Sequence, residues 1–244
     1  MQEKEKALAA LQAIVDESKS MVFFGGAGVS TESGIPDFRS ADGIYHQHFR
    51  YTPEQVVSHS FFVEHTEAFY EFYRERMIFP VAAPNPAHLA LARLEETGRL
   101  KAVITQNIDG LHTMAGSREV LELHGSVHRN HCQKCGKFYG LDAVLAEPGI
   151  PRCDCGGVIK PDVVLYEESL DDRLLNRAVS HIAEADTLII GGTSLIVYPA
   201  AGLIQYFRGR HLVLINKSAT QADSRADLVL RGSIGAVLGG LRTG

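Results

Sequence analysis

The chain lacks any run of apolar residues long enough to cross a membrane as a helix, for which roughly 18 residues are needed. It also lacks an excess of positive charge. The net charge is −5, and acidic and basic residues are interspersed, which does not indicate a surface for nucleic acid or membranes. Its first six residues, MQEKEK, are charged rather than typical of a secretion signal. We therefore expect a cytoplasmic, monomeric protein with no nucleic-acid or membrane partner.

Cysteine is scarce, and all of it lies in one short central segment. Two residues separate the first pair, 17 residues follow, and one residue separates the second pair, as the positions show: Cys132, Cys135, Cys153 and Cys155. This spacing is typical of a zinc ribbon or knuckle. Two disulfides or buried thiols are the alternative, but they are disfavoured without a secretion signal. The second pair is C-x-C instead of C-x-x-C, and Gly156 and Gly157 give its backbone the freedom to close. Four thiolates would leave no position for water, which predicts a structural zinc ion.

Short apolar runs rich in β-branched residues alternate with helix-like stretches along the chain. The alternation predicts an α/β fold, a Rossmann-like doubly wound parallel sheet. Predicted strands are 21–24, 102–105, 119–123, 187–190, 211–215 and 228–230, and predicted helices are 4–18, 86–97, 169–185 and 199–208. The cysteine segment interrupts the alternation as a small inserted zinc-ribbon module, 127–159, and an aromatic-rich stretch predicts a helical insert, 44–79. We expect one domain, 1–244, whose Rossmann-like part is 20–43, 80–126 and 160–244.

A glycine-rich turn, Gly25-Gly26-Ala27-Gly28-Val29-Ser30, follows the first predicted strand directly. Such a turn lets backbone N–H groups approach a diphosphate. The common dinucleotide pattern G-x-G-x-x-G is incomplete, because Thr31 stands where the third glycine would be. Taken alone, the turn is compatible with phosphate binding or with a plain tight turn.

Polar residues end the next two predicted strands. Gln106, Asn107 and Asp109 follow the run 102–105, and His124 follows the run 119–123. Ligands bind open α/β sheets at the carboxyl ends of the strands, although Asn and Asp are also common in ordinary turns. A histidine there is suited to moving protons near neutral pH.

These segments together resemble the sirtuin family of NAD-dependent protein deacylases. The run G-A-G-V-S-T-E-S-G-I-P-D-F-R, 26–39, carries most of the resemblance, with the Q-N-I-D, L-H-G and G-T-S segments and Asn216. It implies that NAD is a co-substrate, that His124 is the catalytic base and that Asn107 and Asp109 assist it. The implied NAD-binding residues are Gly26, Ala27, Gly28, Thr31, Phe38, Arg39, Gln106, Asn107, Ile108, Asp109, His124, Gly192, Thr193, Ser194, Asn216, Lys217 and Ile234.

The implied reaction converts acetyl-lysine and NAD to lysine, nicotinamide and O-acetyl-ADP-ribose, with acetyl-lysine proteins or peptides as partners. Val163, Val164 and Tyr166 lie in the stretch that pairs with an extended peptide in this family. Glu167 stands where family members commonly have glycine, which is compatible with a preference for basic residues beside the modified lysine.

Five alternatives accompany this interpretation. Tyr73-x-x-Arg76 has the spacing by which some sirtuins bind acidic acyl groups, but three-residue spacing also occurs on any helix face. The same site could serve a protein ADP-ribosyltransferase or an NAD-sensing module without catalysis. His128 and His131, beside the first cysteine, are alternative zinc ligands. A hydride-transferring dehydrogenase is disfavoured by the missing third glycine.

Overall fold

The computed structural model describes residues 2–37 and 51–243. Its helices are α1 (Gln2–Glu17), α2 (Pro53–Val56), α3 (His59–Glu64), α4 (Thr66–Arg76), α5 (Pro86–Glu96), α6 (Leu111–Met114), α7 (Leu141–Leu145), α8 (Asp172–Glu184) and α9 (Ile234–Gly239). Its strands are β1 (Met21–Gly25), β2 (Leu100–Thr105), β3 (Val120–Glu122), β4 (Asn130–Cys132), β5 (Phe138–Tyr139), β6 (Ile159–Pro161), β7 (Thr187–Gly191), β8 (His211–Asn216) and β9 (Leu228–Arg231). No helix in the described ranges is long and apolar enough to span a bilayer.

Six of these strands form one parallel sheet in the order β3-β2-β1-β7-β8-β9. On one side of the sheet the strands β1, β2 and β3 follow one another outward, and on the other side β7, β8 and β9 do the same. The strand order therefore reverses between β1 and β7, where Gly25 pairs with Gly191 at the carboxyl ends. A crevice at such a reversal is the usual ligand site of a doubly wound sheet. The predicted fold class is confirmed.

Successive residues of β1 point to opposite faces of the sheet, and each face has its own apolar core. Met21 and Phe23 pack with residues of α1, α5 and α9. Val22 and Phe24 pack on the other face, with residues of α8. Because both faces are covered, β1 is fully buried and reads as a continuous apolar run.

The two inserts share a third apolar core. Aromatic residues of α3 and α4, among them Phe62 and Phe69, pack against Val144 of α7 and against Val163 and Leu165. Arg74 of α4 reinforces this contact by donating from Nε to the Val144 carbonyl oxygen at 2.8 Å. The helical segment, the module around the antiparallel sheet β5-β4-β6 and the stretch after β6 therefore form one lobe.

One predicted helix has a different form. The stretch predicted as a helix at 199–208 is a 3-10 helix, Ala200–Tyr206. Pro199 precedes it, and its small residues Ala200, Ala201 and Gly202 fit the tighter winding of a short segment packed on the sheet.

Candidate functional site

Two glycine loops meet at the sheet reversal. The Gly28 N–H donates to the Gly192 carbonyl oxygen at 2.8 Å, and the Gly26 N–H donates to the Gly191 carbonyl oxygen at 3.3 Å. A Cβ on Gly28 would lie 2.8 Å from the Gly192 Cα, and a Cβ on Gly192 would lie 2.4 Å from the Val29 nitrogen. These contacts are with backbone, which cannot turn away as a side chain can. Only glycines allow the loops after β1 and β7 to lie this close.

Helix α5 holds the first glycine loop in place. Asn85 caps the helix by accepting from the Ala87 N–H, and its amide donates to the Val29 carbonyl oxygen at 2.8 Å. The amide also lies 3.0 Å from Ser33 Oγ. Because Asn85 is buried, these bonds are shielded from water and fix the loop to the start of α5.

Ser30, Asn107 and Asp109 form a hydrogen-bonded group between the loops after β1 and β2. The Ser30 hydroxyl donates to Asp109 Oδ2 at 2.6 Å and accepts from Asn107 Nδ2 at 3.0 Å. The other carboxylate oxygen, Asp109 Oδ1, accepts from the Leu111 N–H at 2.9 Å. Sequence reasoning singled out Asn107 and Asp109 but missed Ser30, which joins them. Its place inside the 26–39 motif was the available clue.

Gln106 Nε2 is buried and has no hydrogen-bond partner in the described part of the chain. Gln106 lines the cavity at the sheet reversal. A buried amide donor without a partner is unfavourable, so a ligand group that accepts a hydrogen bond here gains affinity.

His124 contacts the backbone of Gln106, and its tautomer follows from this partner. Its Nδ1 lies 3.0 Å from the Gln106 carbonyl oxygen, which can only accept. Nδ1 therefore carries the proton, and Nε2 has a free lone pair. Burial lowers the pKa of His124 below its ordinary value, against the smaller raising effect of the bond to Gln106. The ring is thus a neutral base at pH 7. The Val164 N–H donates to the His124 carbonyl oxygen at 3.0 Å, which joins this residue to the segment after β6.

The loop after β7 is held by the end of β8. Both side-chain atoms of Asn216 bind the backbone of Thr193: Oδ1 accepts from its N–H at 3.2 Å, and Nδ2 donates to its carbonyl oxygen at 2.7 Å. Thr193 Oγ1 in turn accepts from the Leu195 N–H at 3.2 Å. Asn216 therefore shapes the loop as well as lining the cavity.

The loops after β1, β2 and β7 border one cavity of about 510 Å³. The sequence-predicted site residues that line it are Ala27, Gly28, Thr31, Gln106, Asn107, Ile108, Asp109, His124, Val163, Val164, Tyr166, Gly192, Thr193, Ser194, Asn216, Lys217 and Ile234. Gly26 is not among the lining residues and acts through its bond to Gly191. Phe38 and Arg39 lie outside the described residues. Sequence reasoning missed several apolar lining residues: Val57, Met77, Phe79, Leu165, Val197 and Pro199.

The proposed acidic-acyl pair does not face the cavity as a unit. Tyr73 is fully buried in the core shared by the inserts, where its ring stacks on Phe69 at a centroid distance of 5.5 Å. Arg76 lines the cavity and forms an ion pair with Glu75 at 2.8 Å. Arg76 therefore lines the cavity and Tyr73 does not, and both lie three residues apart on helix α4.

The four cysteines form a separate site at the edge of the small sheet. Their Sγ atoms all lie within 4.8 Å of one another, and the thiols are free. Cys132 Sγ lies 3.4 Å from Cys155 Sγ, and Cys135 Sγ lies 3.5 Å from Cys153 Sγ. Tetrahedral zinc with Zn–S distances of about 2.3 Å places its sulfurs about 3.8 Å apart, so this donor set fits the ion. No cysteine lines the large cavity.

The two neighbouring histidines are engaged elsewhere. His128 Nε2 contacts the Asp109 carbonyl oxygen at 3.1 Å, and His131 Nδ1 contacts Asp162 Oδ1 at 2.7 Å. Neither belongs to the cysteine cluster. The C-x-C pair therefore closes the site without a histidine.

The fold and site define a Rossmann-like protein with a ligand cavity at the strand reversal and a four-thiolate module. The Sir2 family model matches residues 26–199. An NAD-dependent protein deacetylase of Clostridium acetobutylicum is 63% identical over 232 residues, which covers 93% of this chain and 95% of that relative. The NAD-dependent protein deacetylase of Staphylococcus aureus strain Mu50 is 44% identical over 239 residues, or 97% of this chain and 98% of the relative.

Solved structures agree with this result. A Sir2 structure with a p53 peptide and NAD+ matches with a TM-score of 0.84 and 40% identity, covering 95% of each chain. A Sir2 variant with a deacetylated p53 peptide and 3′-O-acetyl-ADP-ribose matches with a TM-score of 0.87 and 40% identity, also over 95% of each chain. This chain belongs to the Sir2 family.

Proposed function

We propose that this protein is an NAD-dependent protein lysine deacetylase, which converts acetyl-lysine and NAD to lysine, nicotinamide and O-acetyl-ADP-ribose. The observation that carries the proposal is the state of His124. Its Nδ1 proton is held by the Gln106 carbonyl group, and its burial keeps the ring neutral. A base of this kind lines a cavity at the strand reversal, beside the group formed by Ser30, Asn107 and Asp109.

The cavity fits NAD by its shape and by its unpartnered donor. The loops containing Gly28 and Gly192 both line the cavity at the strand reversal, where they would hold the diphosphate. Gln106 Nε2 would donate to the cosubstrate. Thr31, Ser194, Lys217 and Ile234 would complete the NAD site, together with other residues of the cavity wall: Ala27, Ile108, Thr193 and Asn216. Gly26 would contribute through its bond to Gly191. Phe38 and Arg39 remain sequence-based members of this set.

Bound NAD supplies an electrophilic ribose carbon with nicotinamide as its leaving group. The protein would position a ribose hydroxyl against His124, whose Nε2 accepts the proton of that hydroxyl. The Ser30 hydroxyl satisfies Asn107 and Asp109, so both side chains are oriented before the cosubstrate binds. Such preorganisation lowers the cost of reaching the reactive geometry.

The acetyl-lysine would enter from the side formed by the segment after β6. Val163 and Val164 line the cavity there, and Tyr166 lies at the surface with 41% exposure. The Tyr166 N–H and carbonyl oxygen are already paired with Val57 and His59, so a peptide would have to pair with other backbone groups of this segment. Apolar lining residues such as Met77 and Phe79 suit a small neutral acyl group and exclude water.

The cysteine module would bind a structural zinc ion through four thiolates, leaving no open coordination position. It adjoins the substrate segment, because β4 pairs with β6 and the His131 ring contacts Asp162. Loss of the ion would therefore loosen the segment that carries Val163 and Val164. The proposal includes a cytoplasmic location and a monomer that acts on protein or peptide substrates and binds neither nucleic acid nor membranes.

Mass spectrometry of an acetyl-lysine peptide tests the proposal, with a succinyl peptide alongside and with NAD present or omitted. NAD-dependent loss of acetyl together with O-acetyl-ADP-ribose is the expected result. An intact peptide with NAD consumed would instead indicate ADP-ribosyl transfer or NAD hydrolysis. Unchanged NAD and peptide would indicate a binding module, and faster removal of succinyl would indicate another acyl specificity.

A further inference from the structure

Glu167 lines the cavity in a backbone conformation that ordinarily favours glycine. Its φ angle is 74°, in the left-handed region, and it follows directly after the exposed Tyr166. This conformation is unfavourable in free energy for a residue that carries a Cβ atom. Such outliers persist where surrounding contacts determine them, and they cluster at ligand sites. Contacts of the Glu167 side chain should therefore hold this conformation.

The Glu167 carboxylate is held in place by α3. One oxygen, Oε2, accepts from the Ser60 N–H at 2.9 Å, and the other, Oε1, accepts from the Ser60 hydroxyl at 3.0 Å. The backbone on either side is fixed as well, since the Tyr166 N–H donates to Val57 and the His59 N–H donates to Tyr166. The carboxylate is thus ordered at the cavity entrance before any peptide binds.

The next residue, Glu168, is in a different electrostatic situation. Its carboxylate forms an ion pair with Lys160 at 3.1 Å, contacts His59 Nδ1 at 2.8 Å and accepts from the Leu165 N–H. Its charge is compensated within the protein. Glu167 takes part in none of the ion pairs found among the described residues, and its partner Ser60 is uncharged. Of the two adjacent carboxylates, Glu167 is the one left to attract a cation from outside.

We propose that Glu167 is a specificity-determining residue, which selects substrate peptides carrying lysine or arginine close to the acetyl-lysine. This inference rests on the proposed deacetylase function. With an acetyl-lysine side chain in the cavity, the flanking residues of the peptide would lie near Tyr166 and Glu167, which are exposed and line the cavity. A long cationic side chain there can reach a preordered carboxylate, which loses little entropy on pairing.

The test is a ratio of kcat/KM values for two acetyl-lysine peptides, one with arginine and one with alanine at the flanking positions. Exposed ion pairs of the usual strength correspond to a ratio of about 1.5 to 5 in favour of arginine. The preference should appear in KM, and it should shrink when the salt concentration is raised from about 0.05 to 0.5 M, because salt screens exposed pairs. A glutamate-flanked peptide should be the poorest of the series.

Three variants separate the charge from the structure. Glu167→Gln can still accept from Ser60 but carries no charge, and its arginine-to-alanine ratio should fall to about 1. Glu167→Gly removes the strain of the left-handed backbone conformation and should also give a ratio of about 1. Agreement between the two variants would show that a folding defect in Glu167→Gln does not cause the lower ratio. Glu64 is an exposed residue of α3 that does not line the cavity. Glu64→Gln therefore removes a nearby carboxylate and should keep the wild-type ratio.

An equal ratio in the wild type and in Glu167→Gln would overturn the inference, because Glu167 would then serve only to tie its loop to Ser60. A wild-type ratio of 1 would do the same. Failure of the proposed function looks different: no peptide of the series would lose acetyl in the presence of NAD.

Discussion

A buried pair of histidines should make the folded state sensitive to acid. The His88 and His112 rings lie 4.7 Å apart between centroids, and both side chains are buried. His88 Nδ1 accepts from the Asn85 N–H at 3.2 Å, so its proton is on Nε2. Neither ring nitrogen of His112 has a partner among the described residues. Both rings are therefore neutral in the native state.

Burial lowers the pKa of His88 from 6.5 to about 4, with a smaller opposing effect of Asp109. Burial also lowers the pKa of His112 well below its ordinary value, and the neighbouring His88 lowers it further. The unfolded chain takes up these protons near pH 6.5 and the folded chain does not. The contribution of the two neutral rings to the free energy of unfolding is thus fully present above pH 6.5 and is lost as the pH falls from there towards 4. Between pH 7 and pH 5, His88 alone should lower the free energy of unfolding by about 2 kcal/mol.

The substitution His88→Asn isolates this contribution. Asparagine offers an acceptor to the Asn85 N–H but does not titrate, so the variant should lose less stability on acidification. Urea unfolding at pH 7.5, 6 and 5 measures the free energy of unfolding of both proteins. The amount by which the wild type exceeds the variant in this free energy should be about 2 kcal/mol smaller at pH 5 than at pH 7.5. His65→Asn, the same exchange at an exposed position, is the matched control. A wild-type advantage that stays constant from pH 7.5 to 5 would refute the assignment of a neutral buried His88.

Three further predictions concern the site. Gly28→Ala should weaken NAD binding, measured by calorimetry, about tenfold or more, and it should lower the free energy of unfolding in urea by about 1–3 kcal/mol, because its Cβ would lie 2.8 Å from the Gly192 Cα. Gly140→Ala, whose Cβ would meet nothing within 4 Å, should change neither quantity. Equal effects of the two substitutions would contradict the close approach of the loops. Cys135→Ser should reduce bound zinc from one ion per chain to almost none by elemental analysis, and unchanged stoichiometry would contradict the four-thiolate site. The acid limb of the kcat/KM profile should lie below pH 6.5, since burial lowers the pKa of His124; a limb above pH 6.5 would contradict a buried neutral base.

The centre of the sheet could be predicted from the sequence because β1 and β7 are buried along their whole length. The runs 187–190 and 211–215 are apolar after their first residues, Thr187 and His211. The observed strands Thr187–Gly191 and His211–Asn216 differ from them by one residue at the end. Local pattern is enough in such a case. It was not enough for 199–208, where a short apolar segment with small residues forms a 3-10 helix.

Contacts between distant segments could not be predicted in this way. The core shared by α4, α7 and the stretch after β6 joins residues that lie far apart in the chain, and it buries Tyr73 away from the cavity. The role of Ser30 likewise depends on its bond to Asp109, 79 residues away. Motif matching found many of the residues at the cavity, but the partners that orient them follow only from the fold.

The most direct test of the account is the amount of O-acetyl-ADP-ribose formed by His124→Ala, measured by mass spectrometry with saturating NAD and an acetyl-lysine peptide. We predict that the variant makes essentially none while the wild type turns over, and that NAD binding by calorimetry is retained in both. Product formation at the wild-type rate would show that the neutral His124 Nε2 is not the base, and it would contradict the central claim.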